Sequence, residues 1–418
     1  MHKKSIAIIG GGISGLIAAR ELSSRYHVLL LESAAVFGGR IRTVNEQGFK
    51  QPIEGGAEFV HGAADETLRL LKEAGINLSK VSGAFYRLQP NGKLSKEDGQ
   101  VEGWELLMKK MGELEHDIAL GPFLIHYFGG SQYNALRTQA ITFAEGFDLA
   151  DISKVSVKSL YQEWSHQSED HRIDGGYKRL IDYLVNDCLK KGCELMLNKT
   201  VKEVRWHIGN VQLFTADAVK YEADQCLITV PLGILQKANT PMALSFTPPI
   251  TDYLSALADI GFGTVIKVIL SFKERFWEED AGFFFSEEKI PTWWTQLPSH
   301  IPVLTGWAGG KQGAALSLLT EQQLIEIALT SLARIFNKDV SWIKERLAGQ
   351  LIFNWLQQPT VLGAYSYATT ASAAVINYLN TPIDDTVYFA GEGLYDGLHP
   401  GTVEAAIVNS LAVIRKMN

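Results

Sequence analysis

The chain has 418 residues, enough for two or three structural units at about 150 residues each. Its residues are 46% hydrophobic and 20% charged, which excludes an intrinsically disordered chain, a small disulfide scaffold and a coiled-coil rod. Thirty-nine Lys and Arg against forty-six Asp and Glu leave a net charge of −7, so no global positive field draws nucleic acid. Cys188, Cys193 and Cys226 fit neither a zinc site nor a disulfide framework, and so few thiols point to a reducing compartment. Met1-His2-Lys3-Lys4 leads straight into Ser5-Ile6-Ala7-Ile8-Ile9, too short an apolar run for a signal peptide. No window of about 18 apolar residues predicts a transmembrane span. The expectation is a soluble, cytoplasmic protein.

Residues 6–9 are continuously apolar, the pattern of a parallel strand buried on both faces. They deliver the chain to Gly10-Gly11-Gly12-Ile13-Ser14-Gly15, a G-x-G-x-x-G turn, and the next seven residues have helical composition. His27-Val28-Leu29-Leu30-Leu31 predicts a second strand ending at Glu32, about twenty residues after Gly12. Gly10 permits the tight turn, Gly12 the approach of a pyrophosphate, and Gly15 close packing of helix on strand. The helix N-terminus, with the backbone of Ile13 and Ser14, offers N–H groups and a positive dipole end to phosphate. Glu32 can accept hydrogen bonds from ribose hydroxyls. The order strand, glycines, helix, strand, acid therefore predicts a dinucleotide site; NAD, NADP and FAD all remain open, although the acid disfavours the 2′-phosphate of NADP.

Gly38-Gly39-Arg40-Ile41-Arg42-Thr43 follows, then Gly55-Gly56-Ala57-Glu58-Phe59-Val60-His61-Gly62. A nicotinamide dehydrogenase has no evident need for either. Together with the front motif they resemble the flavin-containing amine oxidase family: monoamine oxidases, polyamine oxidases and lysine-specific histone demethylases. The resemblance implies an α/β fold in which an FAD-binding, Rossmann-like domain of the glutathione-reductase type is interleaved with an α+β substrate-binding domain. It places residues 1–80, 172–250 and 376–418 in the first, and 81–171 and 251–375 in the second. It also implies that Gly39 and Arg40 lie along the pyrophosphate, and Gly56, Ala57 and Glu58 beside the flavin ring. His61 resembles a histidine of some polyamine oxidases that meets the substrate; satisfying a local hydrogen bond is the ordinary alternative.

Farther along, Pro90-Asn91-Gly92 predicts a hairpin, and Leu180, Ile181, Leu184 and Val185 the buried stripe of a helix. Residues 200–230 read as short strands turning at Gly209-Asn210. In the family the residue matching Val201 contacts adenine through its backbone. Residues 262–270 are a β-branched strand with Lys267 at its centre, sharing a face with Val265 and Ile269. An unpaired buried ammonium is costly, so either the strand is an edge and the lysine reaches water, or the lysine is functional. The family places a lysine here, one water from flavin N5, where desolvation could strip its charge. Phe283-Phe284-Phe285 and Trp293-Trp294 read as core, and 320–336 as a helix with Leu324, Ile327, Ala328 and Ile335 on one stripe.

Trp355, Pro359 and Gly363-Ala364-Tyr365-Ser366-Tyr367 resemble a family block in which Tyr365 lies beside the flavin face and Trp355 packs against the flavin or its entrance. Ala364 stands where monoamine oxidases carry the cysteine bonded to FAD, so the implied cofactor is non-covalent. Val387-Tyr388-Phe389-Ala390-Gly391-Glu392-Gly393 is a second signature. It implies Gly391 and Glu392 at the pyrophosphate and ribityl region, and Thr402 and Val403, opening the last helix, at the isoalloxazine edge. The second cage tyrosine of monoamine oxidases aligns with Thr402, and that of demethylase-like members with His399, which could bind substrate. No Ser-His-Asp set, metal-ligand spacing or C-terminal membrane anchor is predicted.

The implied activity is oxidation of a primary or secondary amine, polyamine or monoamine. Hydride passes to flavin N5, the imine hydrolyses, and O2 is reduced to H2O2. An L-amino-acid oxidase or protoporphyrinogen-oxidase-like desaturase would share the cofactor, and a flavin-bound interaction protein would turn over little. The sequence leaves the oligomeric state open.

Overall fold

The computed structural model describes residues 3–97, 101–166 and 169–417. A five-stranded parallel sheet runs in the order Glu194–Met196, Tyr26–Leu31, Lys4–Ile9, Gln225–Ile228, Val387–Phe389. Its central strand explains why residues 6–9 are apolar throughout. Ile6 and Ile8 pack into a core with the helices Ile13–Leu22, Lys178–Lys190 and Val403–Lys416. Ala7 and Ile9 point the other way, into a second core with the strands Val201–His207 and Asn210–Thr215. The helix Ile13–Leu22 lies so close to its strand that a Cβ on Gly15 would sit 2.0 Å from the Gly10 carbonyl oxygen.

A seven-stranded sheet runs Leu347–Asn354, Val265–Phe272, Val303–Gly309, Thr292–Trp294, Ala281–Phe285, Ala84–Leu88, Leu94–Glu97. Val265–Phe272 is bonded on both sides and buried along its whole length, so it is no edge strand. Ile266, Val268 and Leu270 face a core with the helix Glu321–Ile335, which opens on a Thr320/Gln323 capping box. Val265 and Ile269 face the opposite way, and Lys267 shares their side by alternation. The hairpin predicted at Pro90-Asn91-Gly92 joins Ala84–Leu88 to Leu94–Glu97. Alternation also divides the phenylalanine cluster: Phe284 is core, whereas Phe283 and Phe285 line the cavity described below. The tryptophans divide likewise, Trp293 into core and Trp294 into the cavity wall. A helical layer, Trp104–Gly112, Leu120–Phe128, Asn134–Gly146 and Val157–Ser165, closes that side around its own core. Among the described residues no helix is long and apolar enough to cross a membrane.

Candidate active site

The parallel sheet, the seven-stranded sheet and the helical layer enclose one cavity of about 2370 Å³. Single small-molecule pockets hold about 300–1,000 Å³, so there is room for a dinucleotide and a substrate together.

At the parallel-sheet end, Gly10 takes φ +109° and Gly12 caps the helix without any side-chain hydrogen bond. A Cβ on Gly12 would meet nothing of the protein nearer than the Gly38 carbonyl oxygen at 4.0 Å. The chain's own packing therefore does not require glycine there, and the open backbone leaves room for a ligand to lie against it. Ser14, in the first helical turn, has a buried hydroxyl with no partner among the described residues, as an absent phosphate acceptor would leave it. Glu32 is held by backbone N–H groups: Oε2 accepts from Gly11 at 2.6 Å and Oε1 from Ala34 at 2.7 Å. Val201 is buried at the start of its strand and lines the cavity, as do Ile13, Gly39, Gly56, Ala57, Gly391, Thr402 and Val403. Gly391 takes φ +148°, and a Cβ there would meet nothing within 4 Å. These residues fit a dinucleotide.

Arg40 lines the cavity and uses one of its guanidinium nitrogens within the protein. Its Nη1 donates to the Ala364 carbonyl at 2.7 Å and to Oε1 of Glu392 at 2.6 Å, while Glu392 Oε2 accepts from the backbone N–H and hydroxyl of Ser366. Thr402 uses its hydroxyl to cap the last helix, accepting from the Ala405 N–H at 3.0 Å, and donates to the His399 carbonyl.

Lys267, 1% exposed, reaches across the cavity floor to Glu58. Nζ lies 2.6 Å from Oε2 of Glu58 and 3.1 Å from the Gly56 carbonyl oxygen, with the Trp294 ring centroid at 5.5 Å. Oε1 of Glu58 accepts from Arg172 and, at 2.9 Å, from the Trp294 indole. Burial alone would raise the Glu58 carboxyl; Lys267 and Arg172 outweigh it and hold it down at about 2. The lysine expected to lose its charge by desolvation thus has a buried counter-ion, supplied by a residue expected only to flank the ring.

Trp355 donates its indole N–H to the Gly55 carbonyl at 2.9 Å, and Tyr365 stacks on Trp307 at 6.4 Å. The Tyr365 hydroxyl bonds the Phe147 carbonyl and the Trp307 indole the Gly146 carbonyl, so both rings are anchored to one loop. The next residue is Asp148. It is buried; Oδ2 accepts from the Trp164 indole at 3.1 Å, and Oδ1 has no partner among the described residues. Burial pushes its carboxyl well up and the neighbouring Glu163 pushes it further; Glu163 itself is raised by burial to about 7. His61 bonds Asp170 through Nδ1 at 2.8 Å and also lines the cavity, so the local bond and access to the site coexist. The His399 ring meets His166 edge-on at 6.5 Å; burial lowers its pKa, and His61 and His166 lower it further.

The profile of flavin containing amine oxidoreductases matches residues 13–413. The chain belongs to that family. This amine oxidoreductase is 28% identical to polyamine oxidase 4 of Oryza sativa subsp. japonica over 98% of its own length and 87% of the relative's. It is 26% identical to lysine-specific histone demethylase 1B of Mus musculus, spanning about half of that longer protein, 53%. A structure of putrescine oxidase bound to putrescine superposes with a TM-score of 0.82 at 18% identity, covering 99% of this chain and 98% of that one. The fold is therefore the α/β architecture expected, and the cofactor of this amine oxidoreductase is FAD. Motif reading missed Arg172, Trp307, Asp148 and Glu163. Only Asp148 left a trace, as one of three acids, with Glu145 and Asp151, in a largely apolar stretch.

Proposed function

We propose that the protein oxidises a diamine or polyamine, with dioxygen as electron acceptor. FAD, when bound, supplies the two-electron acceptor for the C–H bond beside the amine nitrogen and returns those electrons to oxygen as peroxide. The chain's residues supply orientation and charge. Tyr365, Trp355 and Trp307 form an apolar wall against which a neutral amine can lie. Beyond the wall, Asp148 on the adjoining loop and Glu163 on the helix Val157–Ser165 offer carboxyl groups to a second, charged nitrogen of the same molecule. His399, which burial favours as the neutral imidazole, can accept a hydrogen bond along the way, and His61 lines the same cavity.

The observation that carries this reading is the adjacency of an aromatic wall to an acid pair, the buried Asp148 and the half-buried Glu163, through Tyr365 and Asp148. An L-amino acid would need a cation for its carboxylate; two of the cations lining the cavity, Lys267 and Arg40, are each paired with a buried glutamate. The alanine at 364 supports a non-covalent cofactor. Strand membership supports a cofactor unit of 1–80, 172–250 and 376–418 and a substrate unit of 81–171 and 251–375. Anaerobic mixing of the yellow protein with monoamines, diamines, polyamines and amino acids tests the reading. Diamines or polyamines should bleach the flavin fastest; bleaching by amino acids alone, or by nothing, would overturn it.

A further inference from the structure

The Lys267 side chain is a buried cation whose surroundings decide what it can do. Its strand neighbours across both ladders, Trp307 and Phe353, are uncharged. The charged or titratable groups facing it are Glu58, in contact, Arg172 behind Glu58, and Glu54, which feels the lysine's charge. Glu58 is itself 8% exposed, and each of its oxygens is taken: one by Lys267, the other by Arg172 and Trp294. A carboxylate fixed in this way cannot swing away from the ammonium. Losing the proton from Lys267 would leave the buried Glu58 anion facing a neutral amine, a costly arrangement.

We infer that Glu58, braced by Arg172 and Trp294, is a positioning residue that keeps Lys267 an ammonium ion, so that Lys267 serves the oxygen reaction as a fixed positive charge and not as a base. This rests in one respect on what the family resemblance implies, that FAD lies against the Lys267 side of the cavity. Reduction of O2 to H2O2 takes two electrons and two protons: the reduced cofactor gives up both electrons and the hydrogen on its N5, solvent supplies the remaining proton, and negative charge builds on oxygen as electrons arrive. A fixed cation beside that oxygen favours the transfer and keeps its own proton throughout. Glu58→Gln preserves size but removes the counter-charge, leaving Lys267 near Arg172 in a desolvated place where the neutral amine becomes accessible.

The test uses holoenzyme reduced with dithionite and mixed with oxygenated buffer across pH, so no amine is needed. Lys267→Met should slow reoxidation by about 100-fold at every pH. Wild type should show no ionisation that Lys267→Met abolishes. Glu58→Gln should acquire one in the neutral-to-alkaline range, its rate falling with rising pH toward that of Lys267→Met, and Glu58→Asp should restore part of the flat profile. The midpoint potential of bound FAD should break with pH in Glu58→Gln and not in wild type. Glu54, which burial holds at about 7, can add an ionisation of its own, recognised because it survives Lys267→Met. A Glu58→Gln profile superimposable on wild type would overturn the inference. So would a wild-type ionisation lost in Lys267→Met, a comparison that stands even if Glu58→Gln fails to fold. Failure to oxidise any amine would instead strike the functional reading alone.

Discussion

Arg40 and Glu392 are 352 positions apart in the chain, and Arg40 Nη1 lies 2.6 Å from Glu392 Oε1. Two residues that motif reading assigns separately to a cofactor's phosphates are each other's partners. Glu392 also takes the Ser366 hydroxyl and N–H, so it ties the strand end at Phe389 to the Tyr365 loop.

Removing Glu392 therefore strands a guanidinium and a buried hydroxyl. Glu392→Ala should cost about 3 kcal/mol of unfolding free energy and raise the FAD concentration needed for saturation. Glu392→Gln, which can still meet Ser366, should lose less. Urea denaturation of the apoprotein, with a flavin-binding titration, gives both quantities; equal losses for the two variants would exclude a charge-specific role.

The front glycines separate packing from binding. Gly15→Ala drives a Cβ to 2.0 Å from the Gly10 carbonyl oxygen and should destabilise the protein by several kcal/mol with or without FAD. Gly12→Ala has ordinary φ and an open space before it, so apoprotein stability should change by less than about 0.5 kcal/mol. Its FAD affinity should nonetheless collapse. Thermal melts of apo and FAD-loaded protein distinguish the two.

The acid pair makes substrate choice depend on pH. Glu163, raised by burial to about 7, must release its proton to receive a cation, so a diamine's advantage over a monoamine of equal length should grow as pH rises through 7. Glu163→Gln and Asp148→Asn should each reduce that advantage by about 10- to 100-fold in kcat/KM. Monoamine turnover should change little. Peroxide-coupled assays of matched amines read the ratio directly.

Glu58 sets an acid limit on the fold. Its folded-state carboxyl is depressed to about 2 from an ordinary 4.5, so its contribution is present above pH 4.5 and fades as pH falls toward 2. In Lys267→Met only Arg172 and Trp294 hold the carboxylate, its depression shrinks, and acid unfolding should begin at higher pH. Tryptophan fluorescence against pH reads the midpoint; coincident curves would refute the assignment.

Local chemistry settled much of this protein before any contact was known. Gly10, Gly12, Gly15 and Glu32 announce a dinucleotide site because the turn, the close approach and the acid all lie within one short βαβ stretch. The strand around Lys267 is equally legible, since period-two alternation is a property of neighbouring residues. What local pattern does not carry is who meets whom across the chain. Glu58 reaches Lys267 over 209 positions, Arg172 reaches Glu58 over 114, and Tyr365 reaches Phe147 over 218. A buried charge is tolerable only beside its partner, and that partner is chosen by the packing of the two sheets and the helical layer. The sequence by itself determined that a dinucleotide is cradled and that a lysine sits on an otherwise apolar strand face; the tertiary structure alone decided that this lysine is buried and paired, and that an acid pair sits beyond the aromatic wall.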